Sequence, residues 1–190
     1  MLDRGLRDAL IWLAFLLRVV LQLDSSTPVD PNLVENVQKL APTLDPGRIR
    51  TQIEAATNAA HASGIPVEQL LGQAHIESRF DPTATSRVVG TKRVTGSSPS
   101  LVPAGVGPRF CGPLQTTAGA SWLVCLAMRV PAIGYWIGAS ELRVWLRAAH
   151  GDMRAALNGY GCGWRGLTNG CNGYADRVLA WSARIAGRSS

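Results

Sequence analysis

A chain of 190 residues has room for one domain with a core of its own, held without a metal or a dense disulfide framework. Hydrophobic residues at 46 % and charged residues at 17 % exclude a disordered chain. The formal charge of +6 favours a polyanionic partner, whether nucleic acid, an anionic membrane surface or the bacterial cell wall. The basic residues are spread along the chain instead of forming an arm, so nothing beyond the charge itself speaks for nucleic acid.

The first element is the apolar stretch "ALIWLAFLLRVVLQL", residues 9–23. As a helix it is about 22 Å long, short of the ~30 Å hydrocarbon core of a bilayer. Asp3 and Asp8 spoil a positive leader, and no small-x-small cleavage pattern follows at "DSSTP". Plotted at helical intervals, Asp3, Arg4, Arg7, Asp8, Arg18 and Gln22 share a sector of about 140°, interrupted by Ile11, Ala14 and Phe15. Leu2, Leu6, Trp12, Leu13, Leu16, Leu17, Val20 and Leu23 fill the other side. This predicts an amphipathic helix whose wide apolar face covers a protein partner or neighbouring copies, the domain's own core, or a membrane surface. The prolines of "DSSTPVDP" end it, which divides the chain into an N-terminal helix and linker, 1–30, and a domain, 31–190.

Strand-like alternation is scarce, and apolar residues recur at three and four, so the fold class expected is mainly α. "NLVENVQKL" reads as a short helix that stops before Pro42. Asp45 caps a second with Pro46 in its first turn, running to Gly64. Pro66 opens a third, "PVEQLLGQAHIES", with an apolar stripe of Val67, Leu70, Leu71 and Ala74. Seven residues after Leu70, Glu77 falls on that stripe where the helix ends. From Asp81 to Gly112 periodicity is lost, and "GTKRVTGSSPSLVPAGVGPR" reads as a long loop. Helices return at about 115–129, 139–149 and 152–159, then a Gly- and Cys-rich stretch leads to a last helix at "YADRVLAWSARIA".

The cysteines are Cys111, Cys125, Cys162 and Cys171. None forms a Cys-x-x-Cys pair and no histidine has metal-ligand spacing, so no metal or other cofactor is expected. Two disulfides have three connectivities. A local bridge would pin the turn "CGWRGLTNGC" between Cys162 and Cys171, leaving Cys111 with Cys125. Four reduced core thiols are the alternative. Bridges would imply an oxidising, extracytoplasmic place of work.

Three motifs stand in order. The first is Glu77-Ser78-Arg79-Phe80 followed by Ala84 and Ser86. The second is Gly112-Pro113-Leu114-Gln115 followed by Thr-Thr-Ala. The third is "ALNGYGCG", with Ala156, Leu157, Tyr160 and Gly163, ahead of Tyr174 and Val178. Over residues 45–185 this pattern resembles the lysozyme-like lytic transglycosylases, whose motifs are Glu-Ser-x-Phe, Ala-x-Ser, Gly-Leu-Met-Gln, Ala-Leu-x-x-Tyr-Asn-x-Gly and Tyr-Val. The chain departs from it at the loop of about 25 residues after Ser86, at Pro113 and at Gly161, which stands where the pattern has Asn.

The resemblance implies a lysozyme-like helical domain that cuts the glycosidic bond between N-acetylmuramic acid and N-acetylglucosamine. Glu77 would be its single catalytic acid and base. The substrate's own N-acetyl group would do the work of a second carboxylate, a substrate-assisted exception to the usual pair. Ser86, Gln115 and Tyr160 would line the cleft by position in the pattern, and Trp164, in the Gly-rich stretch, is the tryptophan placed to meet a sugar. A single carboxyl can act this way only if its surroundings raise its pKa, which burial on an apolar stripe would do. The partners implied are peptidoglycan strands and, through the first helix, an assembly such as a bacteriophage particle that breaches the wall or a secretion apparatus. Two alternatives stand beside it: an assembly component with little activity, which Pro113 and Gly161 would favour, and a hydrolytic muramidase using Asp81, Glu141 or Asp152.

Overall fold

The computed structural model describes residues 28–80 and 130–188. The N-terminal helix, the long loop, the helix expected at about 115–129, and Ser86, Cys111, Gln115 and Cys125 lie outside the described residues. Among the described residues the secondary structure is six α-helices and no strand, in line with the mainly α expectation. They are α1 (Pro31–Leu40), α2 (Pro46–Ser63), α3 (Val67–Ser78), α4 (Pro131–Ala148), α5 (Met153–Asn169) and α6 (Tyr174–Ile185).

Local chemistry sets several of their ends. Asp30 and Asp45 each accept a backbone N–H at a helix start, from Asn32 and Arg48, both at 2.9 Å. Proline stands in the first turn of α1, α2 and α4, where its missing N–H costs nothing. α2 stops at Gly64, which takes the left-handed conformation at φ 74°. α3 stops more abruptly. Arg79 and Phe80 both have positive φ, 52° and 61°, although neither is glycine, a conformation that costs each about 1–2 kcal/mol. The turn they make sends Phe80 back into the core at 2 % exposure and leaves Glu77 in the last helical turn.

Helix α2 packs chiefly on α4, and α3 on α6; α5 bridges α4 and α6, while α1 lies against α2 and α6. Asn36 ties α1 to the end of α6 by donating to the Ile185 carbonyl at 3.0 Å. Ile49, Ile53, Leu70, Leu71, Leu142, Leu157 and Ile185 are almost wholly removed from solvent. Each such side chain is worth about 1.5–3 kcal/mol of burial.

Two boundaries differ from the sequence reading. α4 begins at Pro131, eight residues before the periodic stretch, because "AIGYWIG" buries Gly134, Tyr135, Ile137 and Gly138 and so shows no polar side to mark a period. α5 continues to Asn169 through the segment expected to be irregular, breaking only at Gly163 (φ 66°, ψ −155°). The glycines there serve close packing: a Cβ on Gly159 would sit 2.5 Å from the Trp145 ring, and one on Gly166 2.1 Å from the Asn158 carbonyl.

The same device brings α3 and α6 together. A Cβ on Gly72 would fall 2.5 Å from Ser182 Oγ and 2.8 Å from the Val178 carbonyl oxygen. The Ser182 hydroxyl itself donates to that carbonyl at 2.8 Å. Gly72→Ala should therefore lower stability by about 1–3 kcal/mol through overpacking, even though alanine favours a helix by up to about 1 kcal/mol. Urea denaturation of both proteins checks this; a gain in stability would mean the helices are not in close contact at this point.

Candidate active site

Glu77 sits in the last turn of α3, half-buried, one turn beyond the fully buried Ala74 and two beyond Leu70 of the same stripe. Facing it is Tyr174, the first residue of α6, whose hydroxyl donates to Glu77 Oε1 at 2.6 Å. Tyr174 is itself buried, and Tyr160 of α5 lies flat against it, ring centroids 6.5 Å apart and planes 14° from parallel. Three helices thus meet at one carboxyl. Gln73, one turn before Glu77, is also fully buried, with its side chain at the Tyr174 hydroxyl.

Burial pushes the Glu77 carboxyl up to about 7, against the hydrogen bond from Tyr174 and the positive charge of Arg177, which both hold it down. The end of a helix also favours neither a carboxylate nor its negative charge, since the backbone carbonyls there carry the negative end of the dipole. Burial and the neighbouring Glu77 charge push the Tyr174 phenol well above its ordinary range, so it stays a donor. A carboxyl that titrates near 7, accepts one hydrogen bond and retains partial access to solvent can give up a proton and take one back at neutral pH.

His75 and two of the other carboxyl candidates, Asp152 and Glu141, have structural positions. His75 stacks on Trp181 with ring centroids 3.4 Å apart and meets the Phe80 edge at 5.6 Å. Burial and the Arg79 charge press its pKa down to about 4, so it is neutral at pH 7. Asp152 caps α5 by accepting the Ala155 N–H at 3.1 Å, and Glu141 accepts the Trp145 indole N–H at 3.0 Å. Asp81 lies outside the described residues. Among the described residues no group of His, Cys, Asp and Glu could hold a metal ion.

Of the expected site residues, then, Glu77 and Tyr160 are brought to one place, with Tyr174 between them. Trp164 is 69 % exposed just after the break in α5, and its ring meets Trp145 edge-on at 5.3 Å. Cys162 and Cys171 form the expected local disulfide, Cα atoms 5.6 Å apart, although most of the segment between them is the end of helix α5 and not a turn. Ser86, Gln115, Cys111 and Cys125 have no described position. Tyr174 is the site residue that sequence reasoning misses: its motif supplies a position and no task. Gly161 also acquires a reason. A Cβ there would lie 3.0 Å from both Cys171 Sγ and the Tyr174 ring, so the asparagine of the family pattern would crowd the group that holds Glu77.

Comparison with protein-family models, with curated proteins and with solved structures finds no match to this chain.

The carboxyl's raised pKa makes stability depend on pH in a definite direction. Folded Glu77 titrates near 7, and the ordinary value is 4.5. Below about 4.5 both folded and unfolded chains hold the proton; between there and about 7 only the unfolded chain releases it, so stability falls as pH rises. Glu77→Gln removes this liability. It should be about 2–3 kcal/mol more stable than the parent at pH 8 and gain nothing at pH 4, measured by urea denaturation at each pH. Equal gains at both pH values would show that the carboxyl is not held protonated.

Proposed function

We propose that this chain is a peptidoglycan lytic transglycosylase with a lysozyme-like domain, in which Glu77 is the only catalytic carboxyl. The observation that carries the reading is the half-buried Glu77, titrating near 7 with Tyr174 on its Oε1, at the position the Glu-Ser-x-Phe motif assigns to the catalytic acid.

In this reading protonated Glu77 gives its proton to the bridging oxygen as the bond to the muramic acid anomeric carbon breaks. The N-acetyl group of that sugar shields the developing positive charge. Glu77, now a carboxylate stabilised by the Tyr174 hydroxyl and by Arg177, removes the proton from the sugar's C6 hydroxyl, whose oxygen closes a 1,6-anhydro ring. The carboxyl is protonated again and no water is consumed. A pKa near the working pH suits a group that must act once as acid and once as base.

Tyr174 is the positioning residue of this scheme, and Tyr160 braces it by stacking. Ser86 and Gln115 would contact the glycan as the motif implies. Trp164, exposed and backed by Trp145, offers a flat apolar surface on which a sugar ring can stack. The positive charge suits an anionic wall, and the Cys162–Cys171 bond suits an extracytoplasmic place of work in a virion or cell envelope. Attachment of the N-terminal helix to a phage particle or to neighbouring copies belongs to the same proposal. No described helix is long and apolar enough to cross a membrane.

The hydrolytic alternative draws no support from the described carboxylates, because Asp152 and Glu141 are engaged at a helix cap and at an indole. Turbidity clearing of purified cell walls tests the assignment. The parent should clear them, and Glu77→Gln should lose about 10³-fold or more in rate while keeping its helical circular dichroism. Clearing at the parental rate by Glu77→Gln would remove Glu77 from the chemistry. A parent that clears no wall would leave only the non-catalytic, assembly role.

A further inference from the structure

The Cys162–Cys171 bond joins helix α5 to the buried Cys171, just ahead of α6, and so lies close to the site. Cys171 sits three residues before Tyr174, and its carbonyl accepts the Tyr174 N–H at 2.7 Å, which begins α6. The two residues between, Asn172 and Gly173, both have positive φ, 44° and 69°. Asn172 holds this conformation at a steric cost that glycine would not bear. Two hydrogen bonds hold the turn itself, the one from the Tyr174 N–H to the Cys171 carbonyl and one from the Arg177 side chain to the Asn172 carbonyl at 3.0 Å. The disulfide fastens it to the end of the first part of α5, immediately before the break at Gly163. At the other side of the same sulfur, the bare Cα of Gly161 lets Cys171 Sγ and the Tyr174 ring share one space.

We infer that the Cys162–Cys171 disulfide is a positioning element of the site, holding the Tyr174 hydroxyl on Glu77, so that the site is assembled when the bond is closed and disassembled when it is reduced. The inference rests on the proposed catalytic reading for its biological sense, but the geometry it concerns exists whatever the substrate. The chain of contact runs from the sulfur bridge to the Cys171 backbone, to the first turn of α6, to the phenol and to the carboxyl. Core packing does not depend on it in the same way, since α6 remains anchored further along by Val178, Ser182 and Ile185.

Opening the bridge needs a dithiol reductant. It supplies two electrons and two protons, the Sγ–Sγ bond breaks, Cys162 and Cys171 become thiols, and the reductant becomes a disulfide. Cys162 lies exposed, within reach of such a reagent. A chain held in a reducing compartment would then carry an unassembled site, and oxidation after export would complete it.

The test follows the Glu77 carboxyl itself by carbon NMR titration, which needs no substrate. Among the described residues the titratable and charged groups acting on Glu77 are Tyr174 and Arg177, both on α6. Reduction with a dithiol and capping of the thiols should move the Glu77 midpoint by at least about half a unit while the helical circular dichroism stays constant. In Tyr174→Phe the hydroxyl is already gone, so reduction should move the midpoint little or not at all. If reduction also melts the helices, Gly161→Ala takes its place: the added methyl pushes on Cys171 Sγ and the Tyr174 ring with the bridge closed, and should shift the midpoint in the parent alone. An unmoved midpoint in the parent, or an equal shift in Tyr174→Phe, overturns the inference. Wall clearing by the same samples should fall about tenfold or more on reduction of the parent. If no sample clears walls but the midpoint behaves as expected, the catalytic reading fails and the positioning role stands.

Discussion

One contact organises what is described of this molecule: a carboxyl at the end of α3 meeting a phenol at the start of α6. Neither group is comfortable there alone. The carboxyl is short of water and the phenol is buried, so each gains a polar partner in the other. That contact requires the two helices to approach closely, and Gly72, with no side chain to hold them apart, lets them. Tyr160, stacked behind Tyr174, backs the phenol with a second buried ring. The raised proton affinity of Glu77 is thus a consequence of packing between helices far apart in sequence.

This explains why the fold was readable to different depths in different places. The helix start at Pro46, with Asp45 accepting a backbone N–H, and the Gly64 stop follow from single residues and their capping chemistry, and these can be read from the sequence directly. So could the seven-residue step that lines Glu77 up with Leu70, since it needs only helical periodicity. The continuation of α5 beyond Gly159 could not. Glycine argues against a helix when judged by propensity, but Gly159 is there to admit the Trp145 ring, a partner from another helix. The early start of α4 was hidden for the opposite reason: its first turns are buried on nearly all sides and display no period.

The site shows the same division. Glu77 could be named because its oddity is local, an acid on a packing stripe. Tyr174 could be seen in a motif but not assigned a task, because a hydrogen bond across 97 residues leaves no trace in local sequence. Gly161 looked like a lesion in the family pattern when considered alone. Beside the disulfide and the phenol it is the residue that fits, since a larger side chain would displace the groups that hold the carboxyl. A departure from a motif can therefore report a rearranged support as well as a lost function.

The central claim is that one carboxyl, acting alone, breaks a glycan strand without consuming water. Mass spectrometry of fragments released from purified peptidoglycan measures this most directly. A transglycosylase built on Glu77 should release muropeptides ending in 1,6-anhydro-muramic acid, each lighter than the hydrolysed fragment by one water. Fragments that all carry the added water would contradict the claim and require a second group to activate water beside Glu77.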